Sequence, residues 1–255
     1  MENYDKFKSE CKNEIVALSN DRQLTDLSNT WLREASLHKY TYHFEWMGRP
    51  IIQLPQDVIA LQEIIWDTKP DVIIETGIAH GGSLILNASL LALFDLIDIE
   101  SEKTERVPRK VIGVDIDIRP HNRKAIVEHP MSSRIDLIEG SSTDEMVIDQ
   151  IRKKIHQGSR VMVILDSDHT EAHVLKELEL YSEFVSKDCY LIVFDTVVEF
   201  LDPESFSNRD WGIGDNPWTA VQKFLASNSN FKNNKEIEDK LQITVAPGGY
   251  LIRKN

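Results

Sequence analysis

The chain has 255 residues, 41% of them hydrophobic, enough to bury one large α/β core without calling for a second domain. Its 42 acidic side chains against 29 basic ones give a formal net charge of -13, so a nucleic-acid backbone or an anionic membrane is repelled on average and a small-molecule partner is favoured. Cys11 and Cys189 stand far apart with no ligand-like cluster, which argues against a disulfide framework or a zinc site and suits a cytoplasmic protein with reduced thiols.

The start, Met1 to Lys6, is polar and has no apolar leader, and no apolar run is expected to reach membrane-spanning length, so a soluble intracellular protein is predicted. From Asp5 to Leu37 the pattern favours helix, with Ile15, Leu18, Leu24, Leu27, Trp31 and Leu32 spaced like one apolar stripe. It reads as a helical arm packed on the core or on a second copy, which leaves room for a homo-oligomer. Tyr40 to Asp57 is rich in aromatics and punctuated by Gly48, Pro50 and Pro55, the marks of an ordered loop able to wall a site. Asp57 is placed to cap a helix over Val58 to Trp66, which Lys69-Pro70 stops.

Val72-Ile73-Ile74-Glu75-Thr76-Gly77-Ile78-Ala79-His80-Gly81-Gly82-Ser83 is a β-branched strand that ends near an acid and breaks into glycines before a helix over Ser83 to Ile99. In an open parallel sheet a ligand sits outside the carboxyl ends of the strands, against such a turn. The spacing is not Gly-x-Gly-x-x-Gly, and the acid suits a cationic or hydroxylated ligand. That favours S-adenosylmethionine and argues against an NAD-dependent oxidoreductase. Glu100 to Lys110, with Glu102, Lys103, Glu105 and Arg106, reads as a solvated connection.

A second strand, Val111 to Asp115, again ends in an acid, able to accept hydrogen bonds from two ribose hydroxyls. A third, Arg134 to Ile138, leads to Ser141 and Ser142, which either bind a base or cap the helix over Asp144 to His156. Val161 to Leu165 ends in Asp166-Ser167-Asp168-His169 before a helix over Glu171 to Val185, and Tyr190 to Phe194 ends in Asp195. As neighbours about 4.8 Å apart, these two strands would bring Asp166 and Asp195 to one site suited to a hard cation such as Mg²⁺. Val197 to Asp215 has the composition of a lid, Asn216-Pro217 opens a helix, and Leu241 to Ala246 with Tyr250 to Arg253 reads as a closing hairpin. No pair of histidines with a carboxylate forms an evident Fe(II) triad.

These residues together resemble the cephalosporin hydroxylase-like family of S-adenosylmethionine-dependent methyltransferases, which includes the rhamnosyl O-methyltransferases. The resemblance runs from about Tyr42 to Arg253 and is carried by Glu45-Trp46-Met47-Gly48-Arg49-Pro50, Pro55-Gln56-Asp57, Glu75 to Ser83 and Leu165 to His169. It implies a Rossmann-like, doubly wound, mostly parallel seven-stranded α/β sheet with a C-terminal antiparallel hairpin. Residues 1–56 would form the arm and aromatic loop, and residues 57–255 the methyltransferase domain.

The resemblance further implies cofactor contacts from Glu75, Gly77, Gly81, Ser83, Asp115, Ser141 and Ser142, and a metal ligand at Asp166. The family's other two metal ligands are an acidic pair that here reads Phe194-Asp195, so one carboxylate is missing. Asp168 could replace it by turning inward; otherwise His169 or Asp166 takes the substrate proton. The expected activity is methyl transfer to a hydroxyl of a small molecule, a sugar or natural-product glycoside, with Mg²⁺ able to assist. The missing acid keeps open a decayed, cofactor-binding or structural subunit.

Overall fold

The computed structural model describes residues 2–100 and 107–255. The expected connection containing Glu102, Lys103, Glu105 and Arg106 lies outside the described residues. The expected helical arm is two helices, α1 (Glu2–Asn20) and α2 (Arg22–Leu37). The break is local: Asp21 takes an extended conformation and its side chain accepts from Leu24 N, capping α2. The apolar stripe is therefore interrupted, and Leu27 is 60% exposed.

The aromatic loop has structure of its own. A 3-10 turn at Tyr40–His43 leads into a hairpin of β1 (Phe44–Trp46) and β2 (Arg49–Ile51), turned by Met47 and Gly48, both at positive φ. Helix α3 (Pro55–Thr68) starts at Pro55 with Leu54 in the capping position, so Asp57 is not its cap. Asp57 lies buried in the first turn, where it accepts from Thr244 Oγ1, Val245 N at 2.9 Å and Tyr250 Oη at 2.7 Å. Three donors from the far end of the chain fix it there.

The remaining elements alternate: β3 (Val72–Thr76), α4 (Gly82–Glu100), β4 (Lys110–Asp115), α5 (Pro120–Val127), β5 (Ile135–Glu139), α6 (Glu145–Lys154), β6 (Val161–Leu165), α7 (Glu171–Tyr181), β7 (Tyr190–Val193), α8 (Pro217–Ser227), β8 (Phe231–Asn233), α9 (Lys235–Leu241) and β9 (Tyr250–Arg253). The seven-stranded sheet runs β5-β4-β3-β6-β7-β9-β8; the first five strands are parallel, and β9 is antiparallel to both neighbours. Every residue of β3 and β6 is buried, as expected of strands covered on both faces. One face carries Ile64, Leu84 and Leu91, the other Val147, Leu178 and Phe224, each side chain contributing roughly 1.5–3 kcal/mol.

Two expectations change here. The closing hairpin pairs β9 with Phe231–Asn233, not with Leu241 to Ala246; Lys235–Leu241 forms α9, and Thr244 and Val245 are held by Asp57. Gly82–Ile99 within α4 is long and apolar enough to cross a membrane by length and composition, contrary to expectation. It packs on the sheet and the hairpin, with Leu84, Ile85, Ala88 and Leu91 fully buried and Trp46 Nε1 donating to Ser89 Oγ.

Candidate active site

The turn after β3 fits its surroundings closely. Gly77 has φ +83°, and a Cβ there would meet the Asp166 carbonyl oxygen at 1.9 Å, so neither the backbone nor the space admits a side chain. Gly82 packs against the Pro50 carbonyl, where a Cβ would stand 2.2 Å away. Arg49 reaches over from β2, its Nε donating to His80 O at 3.0 Å, while Asn122 Nδ2 donates to Ala79 O at 2.9 Å. The hairpin thus clamps the glycine turn, a role for Arg49 that the sequence reading missed.

Asp115 stands at the rim as expected. Its carboxylate accepts from Ile78 N at 2.8 Å and Asp117 N at 3.1 Å, bracing the ends of β3 and β4 together. Glu75 does not reach the rim. It is 1% exposed and accepts from Ser83 Oγ and from Asn87 Nδ2 at 2.8 Å, so Glu75 and Ser83 are engaged with each other beneath the turn. Burial raises the Glu75 carboxyl to about 7, against the hydrogen bonds of Ser83 and Asn87. In this arrangement the two brace the turn from beneath. Gly81 sits against Ile126, Ser141 Oγ lies 3.0 Å from Thr143 Oγ1, and Ser142 Oγ lies 3.0 Å from His173 Nε2.

Outside the carboxyl ends of the strands lies a crevice of about 390 Å³. Gly77, Asp115, Asp166, His169 and Asp195 all line it. Leu32 of α2 and the Tyr40 to Tyr42 segment wall it, as do Phe206 and Trp211 of the 197–215 connection. That connection is built from 3-10 turns at Thr196–Phe200 and Pro203–Phe206, and Glu199 fastens it by accepting from Gly214 N at 2.9 Å and Asn216 Nδ2 at 2.6 Å. Trp211 stands edge-on to His169, ring centroids 4.8 Å apart.

His169 Nε2 lies 3.2 Å from Asp195 Oδ2, and its Nδ1 is out of water with no hydrogen-bond partner among the described residues. Donation of Nε2–H to Asp195 leaves Nδ1 as the basic nitrogen. Asp166 Oδ2 accepts from Gln53 Nε2 at 3.4 Å, another contact the sequence reading missed. Burial pushes the Asp166 carboxyl well above the usual range, and the charges of Asp195, Glu75 and Glu177 push it further.

Asp168 does not join this group. It is exposed, and its Oδ1 accepts from Thr170 N and Thr170 Oγ1, both at 2.7 Å, at the start of α7, so here it does not turn inward. Phe194 is 4% exposed and packed in the core. Among the described residues no group of three or more His, Cys, Asp or Glu side chains is placed to hold a metal ion. The Asp166–Asp195 pair remains: two carboxylates at adjacent strand ends, one of them raised by uncompensated negative charge. That donor set fits a cation such as Mg²⁺, which commonly keeps several waters.

Residues 38–254 match the family model described as rhamnosyl O-methyltransferase/CmcI. The rhamnosyl O-methyltransferase of Mycobacterium bovis is 30% identical over 227 residues, covering 85% of this chain and 83% of the relative. Among solved structures, a CmcI apo-structure has a TM-score of 0.52 at 18% identity, over 84% of this chain and 77% of that one. A CmcI structure with Mg and S-adenosylmethionine has a TM-score of 0.51 at 17% identity, over 84% and 78%. These structural likenesses bear on the fold.

Proposed function

This chain belongs to the rhamnosyl O-methyltransferase/CmcI family, and on that premise we propose that it is an S-adenosylmethionine-dependent O-methyltransferase acting on a hydroxyl of a sugar or glycoside. The observation that carries this reading is that Gly77, Asp115, Asp166, His169 and Asp195 line one crevice together. A nucleoside cofactor and a hydroxyl acceptor would meet there.

The cofactor supplies an electrophilic methyl group on a cationic sulfur. Asp115 offers a carboxylate at the rim for ribose hydroxyls, and Gly77 leaves the backbone bare for close approach. The acidic floor favours a cation over a neutral ligand. His169, oriented by Asp195, is the side chain that would take the acceptor hydroxyl's proton as the methyl group is transferred. Phe206 and Trp211 close the acceptor side and exclude water. Asp166 and Asp195 would hold a divalent cation, which would lower the pKa of the acceptor hydroxyl and orient it. Alignment of the two reactants is the largest contribution asked of the fold, roughly 7–11 kcal/mol in favourable cases.

The test is calorimetric titration of chelator-treated protein with S-adenosylhomocysteine, with and without Mg²⁺, followed by a methyl-transfer screen over sugar hydroxyls. Saturable binding and transfer to a sugar are expected, and no binding in either condition overturns the reading. Phe194 in place of a family acid favours one alternative, a cofactor-binding subunit without turnover. Binding with no transfer across a broad acceptor panel is its signature.

A further inference from the structure

One polar cluster lies beside the crevice and is not used by the mechanism above. Glu177 of α7 is 0% exposed, accepts from Ser167 Oγ at 2.7 Å, and has its second carboxylate oxygen without a hydrogen-bond partner among the described residues. One turn earlier, His173 places Nε2 3.0 Å from Ser142 Oγ, 3.3 Å from Ser167 Oγ and 3.6 Å from Glu177 Oε1. A carboxylate so deeply buried is expensive unless it is paired and hydrogen-bonded, so its position calls for an explanation.

The serine, histidine and acid are not arranged for hydrolysis. In a nucleophilic relay the acid holds one ring nitrogen and the serine the other. Here Ser142, Ser167 and Glu177 all meet the same nitrogen, and Ser167 bonds to Glu177 directly. The cluster is a bridge.

What it bridges is informative. Ser142 follows β5 and Ser167 follows β6, and β4 and β3 lie between those strands in the sheet. Three strand spacings amount to about 14 Å. Through His173 the two turns nevertheless approach within hydrogen-bonding distance of one nitrogen, so the bridge spans the carboxyl ends of β3 and β4. Those ends carry Gly77 and Asp115, which line the crevice and which the methyltransferase reading assigns to the cofactor.

Resting on the methyltransferase reading, we propose that His173, seated by buried Glu177, is a positioning residue for the base of the cofactor: it ties the Ser142 and Ser167 turns into the wall against which the adenine lies once Asp115 holds the ribose. Hydrogen bonding to Glu177 raises the His173 pKa against the opposing effect of burial, and the charges of Glu177 and Asp168 raise it further. Both serine hydroxyls lie within hydrogen-bonding distance of the one Nε2 nitrogen, and that shared contact holds the two turns together.

The test compares wild type, H173A, H173Q and S142A by calorimetric titration with S-adenosylhomocysteine and by initial rates against both substrates. Gln places an amide nitrogen near the position of Nε2, so H173Q restores the bridge without the ring. H173A should weaken S-adenosylhomocysteine binding and raise the KM for S-adenosylmethionine by about tenfold, with kcat at saturating cofactor and the acceptor KM unchanged; S142A should shift both cofactor constants in the same direction, and H173Q should recover most of the loss. If H173A does not fold, S142A, which removes one end of the bridge, decides. Cofactor affinity unchanged in folded H173A or S142A overturns this inference alone. Failure of the wild-type protein to bind S-adenosylhomocysteine overturns the methyltransferase reading and the inference with it.

Discussion

At the scale of single residues, two carboxylates set predictions of different kinds. Asp195 faces the crevice and holds His169 Nε2, so its work concerns proton transfer. H169A is expected to lower kcat by about 10²–10⁴-fold, the range a positioned general base contributes. Its affinity for S-adenosylhomocysteine should stay close to that of wild type, because the ring does not belong to the glycine-turn side; single-turnover rates alongside calorimetry separate the two. Equal losses in binding and turnover would count against the assigned base. Glu75 concerns stability instead. Its folded carboxyl titrates at about 7 against 4.5 for the free group, chiefly because it is buried. Between those values the native state holds the proton that the unfolded state has released, so unfolding free energy falls as pH rises from about 4.5 to about 7 and is flat above. The shift corresponds to something on the order of 3 kcal/mol at most. Asp57, raised to about 6 by burial, acts in the same direction over a lower window. E75Q should therefore flatten the upper part of the wild-type decline, which urea unfolding between pH 5 and 8 would reveal. A parallel decline in the variant would mean that Glu75 is ionised throughout.

At the scale of elements, the legible parts of the sequence were those whose burial leaves a local signature. Strands β3 and β6 are apolar along their whole length because both faces are covered, and their bounds could be read directly. The placement of the residues at their ends was legible for the same reason: Gly77, Asp115, Asp166, His169 and Asp195 follow strands that could be aligned, and all five line one crevice. What escaped notice depends on partners distant in sequence. Asp57 looks like a helix cap until Val245 N, 188 positions away, is found bonded to it. The burial of Glu75 is not evident until Asn87, in the second turn of α4, is seen to hold it. Asp166 and Asp168 are alike in sequence, and only the capture of Asp168 by Thr170 separates them. Short strands such as Phe231–Asn233 are too brief for an alternating pattern to stand out. The turn between β3 and α4 supplies the sharpest prediction at this scale. G77A forces a Cβ against the Asp166 carbonyl at positive φ, so the ends of β3 and β6 must separate. The expected outcome is loss of S-adenosylhomocysteine binding with a melting temperature several degrees lower, since roughly 1 kcal/mol shifts a domain above 150 residues by about 2–4 °C. Retained affinity in G77A would show that the turn is not the cofactor's seat.

At the scale of the whole molecule, the first 54 residues divide between two tasks. The hairpin β1–β2 and the segment after it support the cofactor turn: Arg49 holds the His80 carbonyl, Pro50 packs on Gly82, and Gln53 reaches Asp166. Helices α1 and α2 stand apart from that turn. Leu32, Ala35 and Ser36 of α2 line the crevice, and Trp31 meets Tyr40 edge-on at 5.1 Å. Removing residues 1–37 should therefore leave S-adenosylhomocysteine binding nearly intact and raise the acceptor KM by about tenfold or more, the equivalent of roughly 1.4 kcal/mol of lost contact. Removing residues 1–53 should abolish cofactor binding as well, because the clamp on the glycine turn goes with them. Calorimetry on the two truncated chains separates the outcomes. Loss of cofactor affinity on the shorter deletion would make the arm part of the nucleotide-binding core, and an unchanged acceptor KM would place the acceptor wall wholly within the 197–215 connection. The graded result expected here is what a parallel sheet allows: the strand ends fix the reacting groups, and the segment that precedes the sheet decides what is brought to them.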